Sequence, residues 1–276
     1  MKQIPNIFTL VNLVFGCIAI MYALQPGLVP QYTITEGGNA TAYLNEATGV
    51  QYINMPEQIQ LASLFIGLAA IVDFLDGFVA RLLRATSELG KQLDSLSDVV
   101  SFGVAPGMIL LQLLRLAYAQ QPDGLDVSII WLLPAFIVPA AGAYRLARFN
   151  IDAAQGTVFK GVPIPAVGLL VASFPLIAFF NTGGFAGPAL VGFLHLLSNK
   201  WFLYALILLV SYLMVSPLPM MALKFKNISI KNNGPQYLLI ATAIIAAIIL
   251  QWLAVPVVFV IYVVLSLLIK QKTHDV

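Results

Sequence analysis

Apolar positions in this chain fall into long unbroken runs joined by short polar connections, not into the in–out alternation of strands. Eight runs can be read: Ile7–Leu24, Ile59–Leu82, Leu93–Ala119, Ile129–Phe149, Pro163–Phe180, Trp201–Met221, Tyr237–Leu253 and Pro256–Ile269. Several reach the roughly 20 residues that an α-helix needs to cross a bilayer, and continuous runs argue against a barrel. The expected fold is an all-α, polytopic transmembrane helix bundle of about eight spans. "LAVPVV", between the last two runs, suits either a turn or a kink in one longer helix. The first run lacks a small-x-small cleavage pattern and reads as a retained anchor. The polar connection 25–58, with Tyr32, Tyr43 and Tyr52, reads as a folded surface cap. No internal repeat is found, so an inverted-repeat transporter gains no support.

Composition agrees with the runs. The 276 residues are 60% hydrophobic and 9% charged, against about a quarter charged in a soluble domain. That leaves too little polar surface for a water-soluble protein, and no basic stripe for nucleic acid. Cys17 is the single cysteine, which excludes an intramolecular disulfide and a Cys/His metal cluster. Of 14 basic residues, 12 (Lys2, Arg81, Arg84, Lys91, Arg145, Arg148, Lys160, Lys224, Lys226, Lys231, Lys270 and Lys272) fall in connections on the side of the two termini. Positive charge marks the cytosolic side, so both termini are expected there. Trp131, Trp201 and Trp252 mark the opposite interface, and Asn39-Ala40-Thr41 is a glycosylation-type triplet on that side.

Charge is scarce, yet four aspartates gather at the ends of two runs, "IVDFLDGFVARLLR" and "LDSLSDVVSFG". Asp73 and Asp76 are three apart and Asp94 and Asp98 four apart, so each pair shares a helix face. Asp73 stands eleven residues before Arg84, roughly 16 Å at 1.5 Å per residue, well inside the apolar layer. An Asp at the bilayer centre costs about 2.5–3.5 kcal/mol on insertion scales, and such residues are functional by default. Oxygen ligands without His or Cys favour Mg²⁺, Mn²⁺ or Ca²⁺. A paired metal site suits a diphosphate and its leaving oxygen.

Gly77 and Ala80 lie on the stripe of Asp73 and leave it bare for a flat ligand, although small residues equally suit a helix–helix contact. Arg81 can pair with phosphate or anchor the helix, and Gly90 allows a tight turn. Arg145 and Arg148 share a helical face beside Asn150 and shortly before Lys160. This block suits a carboxylate or phosphate ligand and equally an anchor on anionic headgroups. His195 and His274, the only histidines, lie away from the acids. The residues alone indicate a divalent-metal site for an anionic, phosphorylated ligand at the cytosolic leaflet.

The pattern Asp73-x-x-Asp76-Gly77-x-x-Ala80-Arg81, eight residues, Gly90, three residues, Asp94, three residues, Asp98 resembles the signature of the CDP-alcohol phosphotransferases at every fixed position. That resemblance implies a six-helix, usually dimeric membrane core in which Asp73, Asp76, Asp94 and Asp98 hold two divalent cations, Mg²⁺ or Mn²⁺. It also implies that Asp98 serves as general base and that Gly77, Ala80, Arg81 and Gly90 line the CDP pocket. "IPNIFTLVNL", "LGKQLDSLSDVVSFGVAPG", "YRLARFN" and "FKGVPIPA" resemble the membrane-integral phosphatidylserine synthases of that family. The implied substrates are CDP-diacylglycerol and L-serine, with Arg145, Arg148, Asn150 and Lys160 toward the acceptor. Inositol phosphate, glycerol phosphate or an amino alcohol stays open as acceptor, and a cation-coupled transporter is the rival outside enzymes. The implied setting is a bacterial or archaeal inner membrane, the site facing the cytosol. The resemblance covers about residues 4–225, so the expected organisation is a catalytic unit, 1–225, followed by an added transmembrane hairpin, 226–276.

Overall fold

The computed structural model describes residues 4–25, 27–30, 43–44, 51–55, 58–83, 87–119, 127–151, 159–180, 187–221 and 230–268. Outside them lie Lys2, Arg84, the acids Glu36, Glu46, Glu57, Asp123 and Asp126, the Asn39–Thr41 triplet, Lys224, Lys226, Lys270, Lys272 and His274.

Among the described residues, ten α-helices build the bundle. They are α1 (Ile4–Leu24), α2 (Ile59–Leu82), α3 (Glu88–Asp98), α4 (Ala105–Ala119), α5 (Ile137–Ile151), α6 (Ile164–Phe180), α7 (Gly187–Leu197), α8 (Lys200–Val215), α9 (Ile230–Leu250) and α10 (Ala254–Leu268). Five helical stretches are long and apolar enough to span a membrane, or six when α7 and α8 count as one bent span. The polytopic all-α expectation therefore holds.

The centre of the bundle is the six-residue π-helical turn Val99–Val104, which joins α3 to α4. There the Ala105 N–H donates to Val100 O, five residues back instead of four. Pro106 favours the wider turn, because it has no N–H to offer the carbonyl of Phe102. Ser101, Phe102 and Gly103 in this turn are buried, and α1, α5 and α6 all pack on it. Approach is close: a Cβ on Gly16 of α1 would stand 2.8 Å from Ser101 Cα, and one on Gly168 of α6 would stand 2.9 Å from Phe102 Cβ. Three side chains also tie the continuous segment α3–π turn–α4 to α1 carbonyls: Ser97 Oγ to Thr9 O (2.9 Å), Ser101 Oγ to Asn12 O (3.0 Å) and Gln112 Nε2 to Ala23 O (3.0 Å).

Three features differ from the apolar pattern. First, two small antiparallel sheets join the helices. One has β1 (Gly27–Pro30), β2 (Tyr43–Leu44) and β3 (Gln51–Met55) in the order β1-β3-β2, so part of the cap is sheet. The other pairs β4 (Phe159–Lys160) with β5 (Pro219–Met220). Second, the run Trp201–Met221 is shorter as a helix. It stops at Val215 before Ser216-Pro217-Leu218-Pro219, where two prolines cannot continue the hydrogen-bond ladder. Ahead of it, α7 meets α8 at 86°, with Asn199 capping α8 through Trp201 N (2.9 Å). Third, the junction at "LAVPVV" is a turn. Gln251 takes a φ of 53° and α10 packs back on α9, whereas an unbroken helix of 36 residues would run about 54 Å, nearly twice the bilayer core.

The aspartates gather at one end, with the ends of α5 and α8 and the start of α6. The other end carries Trp131, Trp201 and Tyr204, whose hydroxyl donates to Trp131 O (2.6 Å). There Lys200 Nζ lies 4.7 Å from the Tyr118 ring centroid. Gly168→Ala should destabilise the detergent-solubilised protein by about 1–3 kcal/mol through overpacking. Gly67→Ala, where a Cβ meets nothing within 4 Å, should leave thermal unfolding unchanged or slightly raised.

Candidate metal centre and cleft

The second helix carries Asp73, Asp76, Gly77 and Ala80 on one stripe, and α3 faces it with Gly90, Asp94 and Asp98. Ser87 starts α3 in extended conformation and accepts a hydrogen bond from Gly90 N (3.0 Å), an N-cap that satisfies a free helix-end donor. The third acid, Asp94, therefore enters the site about two turns beyond a fixed start. One carboxylate oxygen each from Asp73, Asp76 and Asp94 lie within 4.8 Å of one another. Asp98, one turn after Asp94, stays within electrostatic reach of all three. Asp76 and Asp98 are the deepest, each 7% exposed.

The first helix supplies polar partners. Thr9 Oγ1 lies 2.9 Å from Asp76 Oδ2 and 3.1 Å from Pro5 O. Its single proton serves one acceptor at a time, so Asp76 keeps lone pairs for another ligand. Asn12 is fully buried beside Asp98. Its amide stands close enough to act on that carboxylate as a donor, while among the described residues Asp98 Oδ1 makes no hydrogen bond of full geometry. A buried oxygen so weakly satisfied is costly and is available to a further ligand. The three carboxylates of Asp73, Asp76 and Asp94, with neither His nor Cys beside them among the described residues, form a hard-oxygen donor set. Donor chemistry and the weakly satisfied oxygen both fit divalent cations.

Beside the acids opens a cleft of about 540 Å³, lined among others by Thr9, Asp76, Gly77, Ala80, Gly90 and Asp94. That volume is within the range of small-molecule sites. Larger residues would close it: a Cβ on Gly90 would stand 3.0 Å from Asn6 Oδ1 and 3.1 Å from Ser87 Oγ. Arg81 is exposed on the rim, where its Nη1 would lie 3.6 Å from a Cβ on Gly77. Lys91 also lines the cleft.

The second basic block divides. Arg145 is buried, and its Nε has no hydrogen-bond partner among the described residues. Asp98 stands within its electrostatic reach. Arg148 instead donates to Val215 O (2.9 Å) and Ser216 O (3.4 Å) at the end of α8, a helix C-terminus that favours a cation. Asn150 Nδ2 donates to Ser95 Oγ (2.8 Å), and Lys91 Nζ to Asn150 O (3.3 Å), which fastens α5 to α3. Lys160 is exposed on β4. His195 is exposed on α7, and Cys17 is exposed.

Sequence reasoning missed Thr9 and Asn12. Their signal was present in "PNIFTLVN", where Asn6, Thr9 and Asn12 recur every third residue on one face of an otherwise apolar helix.

Comparison with known proteins places these residues in a family. The model of the CDP-alcohol phosphatidyltransferases matches residues 2–186, more than half of the chain and all of the aspartate pattern. The chain is 39% identical over 131 residues to the CDP-diacylglycerol–serine O-phosphatidyltransferase of Bacillus subtilis (strain 168), covering 46% of this chain and 69% of that protein. It is 33% identical over 142 residues to the archaetidylserine synthase of Methanothermobacter thermautotrophicus, covering 50% and 57%. It is 44% identical over 109 residues to the CDP-diacylglycerol–serine O-phosphatidyltransferase of Methanocaldococcus jannaschii, covering 40% and 47%. The matches thus span from about half to about two thirds of these relatives' lengths. With the family model lying across every helix that lends a side chain to the acid cluster, the chain belongs to the CDP-alcohol phosphatidyltransferase family.

Proposed function

We propose that this protein transfers a phosphatidyl group from CDP-diacylglycerol to L-serine, giving phosphatidylserine and CMP. The observation that carries this reading is the carboxylate cluster of Asp73, Asp76 and Asp94, of which Asp76 and Asp94 line a cleft kept open by Gly77, Ala80 and Gly90. Relatives named for serine transfer support the choice of acceptor.

Two divalent cations, Mg²⁺ or Mn²⁺, held by Asp73, Asp76, Asp94 and Asp98, supply positive charge to the diphosphate and to the oxygen that departs with CMP. The cytidine and ribose take the cleft beside Gly77, Ala80 and Gly90, with Arg81 at its rim. Thr9 holds Asp76 in place through its hydroxyl. Asp98, deep and next to Arg145, accepts the proton of the serine hydroxyl. The serine oxygen then forms a bond to the phosphatidyl phosphorus as the bond from phosphorus to the CMP oxygen breaks. Arg145 offers the serine carboxylate a charge-assisted partner, with Lys160 and Asn150 on the same side. Arg148 acts by holding the end of α8.

The charge distribution supports both termini and the cleft on the cytosolic side, where cytidine nucleotide and serine are dissolved while the acyl chains stay in the bilayer. Residues 1–225 serve as the catalytic unit and 226–276 as an appended hairpin. A homodimer is the assembly that the family resemblance suggests, with each site built from one chain.

Purified protein given CDP-diacylglycerol should release CMP on addition of serine, and much less with inositol phosphate, glycerol phosphate or ethanolamine. Release with one of those and none with serine defeats the acceptor assignment. Asp98→Asn should lower transfer by about 10³-fold, the middle of the range for general-base catalysis, while binding of CDP-diacylglycerol stays measurable by calorimetry. Full activity in that variant refutes the base assignment. Chelation with EDTA should abolish CMP release, and Mg²⁺ or Mn²⁺ should restore it. Undiminished turnover after exhaustive chelation contradicts a metal-held diphosphate.

A further inference from the structure

The family model ends at residue 186, yet the last helix of the chain reaches back to the acidic end. Ser266 Oγ accepts from Met221 N at 3.1 Å and donates to Tyr262 O at 2.7 Å. Tyr262 Oη donates to Met221 O at 3.3 Å. One turn of α10 thus holds both backbone polar groups of Met221. All three residues are buried, Ser266 at 1%, Tyr262 at 5% and Met221 at 6%.

Met221 directly follows β5, whose Pro219 and Met220 pair with Lys160 and Phe159. Gly161 N donates to Leu218 O (2.9 Å) and Val162 N to Leu213 O (3.0 Å). Arg148 fixes the neighbouring carbonyls of Val215 and Ser216 to α5. The stretch 213–221 is therefore a keel between α5, the strand bearing Lys160, and α10. Arg145 is enclosed here, within electrostatic reach of Asp98 and of Tyr262.

We propose that Tyr262 and Ser266 are positioning residues for the acceptor. By clasping Met221 they fix β5, and through it Lys160 and the chamber around Arg145, at the distance from Asp98 that the alcohol requires. The inference rests on the acceptor side assigned above. Its physical basis is an asymmetry between the two substrates. The donor would be held by its hydrocarbon tails, its diphosphate and its nucleotide, and the cleft assigned to that nucleotide is lined by α1, α2 and α3, not by α10. A small polar alcohol has no such anchors and depends on the protein groups around it, where an error of 1 Å is costly. Loosening the clasp should therefore weaken use of the acceptor and spare the donor.

The test compares Tyr262→Phe, Ser266→Ala and Ser266→Thr with Val264→Ala, an exposed neighbour on α10. Steady-state CMP release is measured with serine and CDP-diacylglycerol varied separately. Tyr262→Phe and Ser266→Ala should raise KM for serine by about tenfold, a loss of acceptor binding without loss of chemistry. Their kcat and KM for CDP-diacylglycerol should match the parent, with the unfolding temperature lowered by a few degrees at most, the cost of one buried hydrogen bond. Ser266→Thr, which keeps the hydroxyl, should restore the parent KM. Hydrogen–deuterium exchange at Gly161 and Val162 should quicken in the two defective variants and not in Val264→Ala. An unchanged KM for serine overturns the proposal. So does a lower kcat together with a raised KM for both substrates and a markedly lower unfolding temperature, the mark of a general structural role. If the parent prefers another alcohol, the serine assignment fails and the KM comparison is made with that alcohol. If the parent transfers to none, unchanged exchange at Gly161 and Val162 overturns the clasp and quickened exchange supports it.

Discussion

Carboxylates brought together at the edge of an apolar layer stay ionised only where positive charge joins them, and otherwise hold their protons. At short range and reduced dielectric their mutual repulsion, added to the cost of desolvating each, exceeds what a helix contact returns. The rest of the molecule can be understood as the means of meeting that condition. The acids sit at helix ends, where cations and water have access. Small residues beside them leave room, and α1 contributes neutral hydroxyl and amide groups that orient carboxylates without cancelling their charge. The π-helical turn gathers α1, α5 and α6 directly beneath Asp98, so the deepest acid rests on the most tightly packed part of the bundle.

Much of this was legible in the sequence because a bilayer makes the hydrophobic pattern unusually strict. Every backbone group in the apolar layer must be satisfied within its own element, so long apolar runs had to be helices, although of the eight spans read only five, or six with the bent pair, are long and apolar enough to cross among the described residues. The aspartates were legible for the same reason: charge in such a setting is rare enough to carry meaning by itself. The cleft residues followed from spacing, since Gly77 and Ala80 had to share a face with Asp73.

What escaped was whatever depends on side chains meeting across elements. Arg145 and Arg148 look equivalent in the sequence, three residues apart on one face. Their divergence, one enclosed near Asp98 and the other spent on the carbonyls of α8, depends on where Ser216 and Pro217 end that helix. Thr9 and Asn12 were hidden because isolated Thr and Asn are unremarkable in a membrane helix, and only their spacing of three betrays a polar stripe. The strand pair β4–β5 is too short to leave a periodic trace, and its partners are sixty residues apart. The turn at Gln251 was ambiguous because a proline in an apolar run signals a kink as readily as a reversal.

The right-angled junction of α7 and α8 bears on how the protein sits in its surroundings. At 86° the two helices cannot both follow one direction through a bilayer, so where α8 crosses, α7 runs across it. Arg148 grips the opposite end of α8. A tilt of that corner would therefore be passed along one stiff rod to α5, as a lever passes on the motion of its short arm.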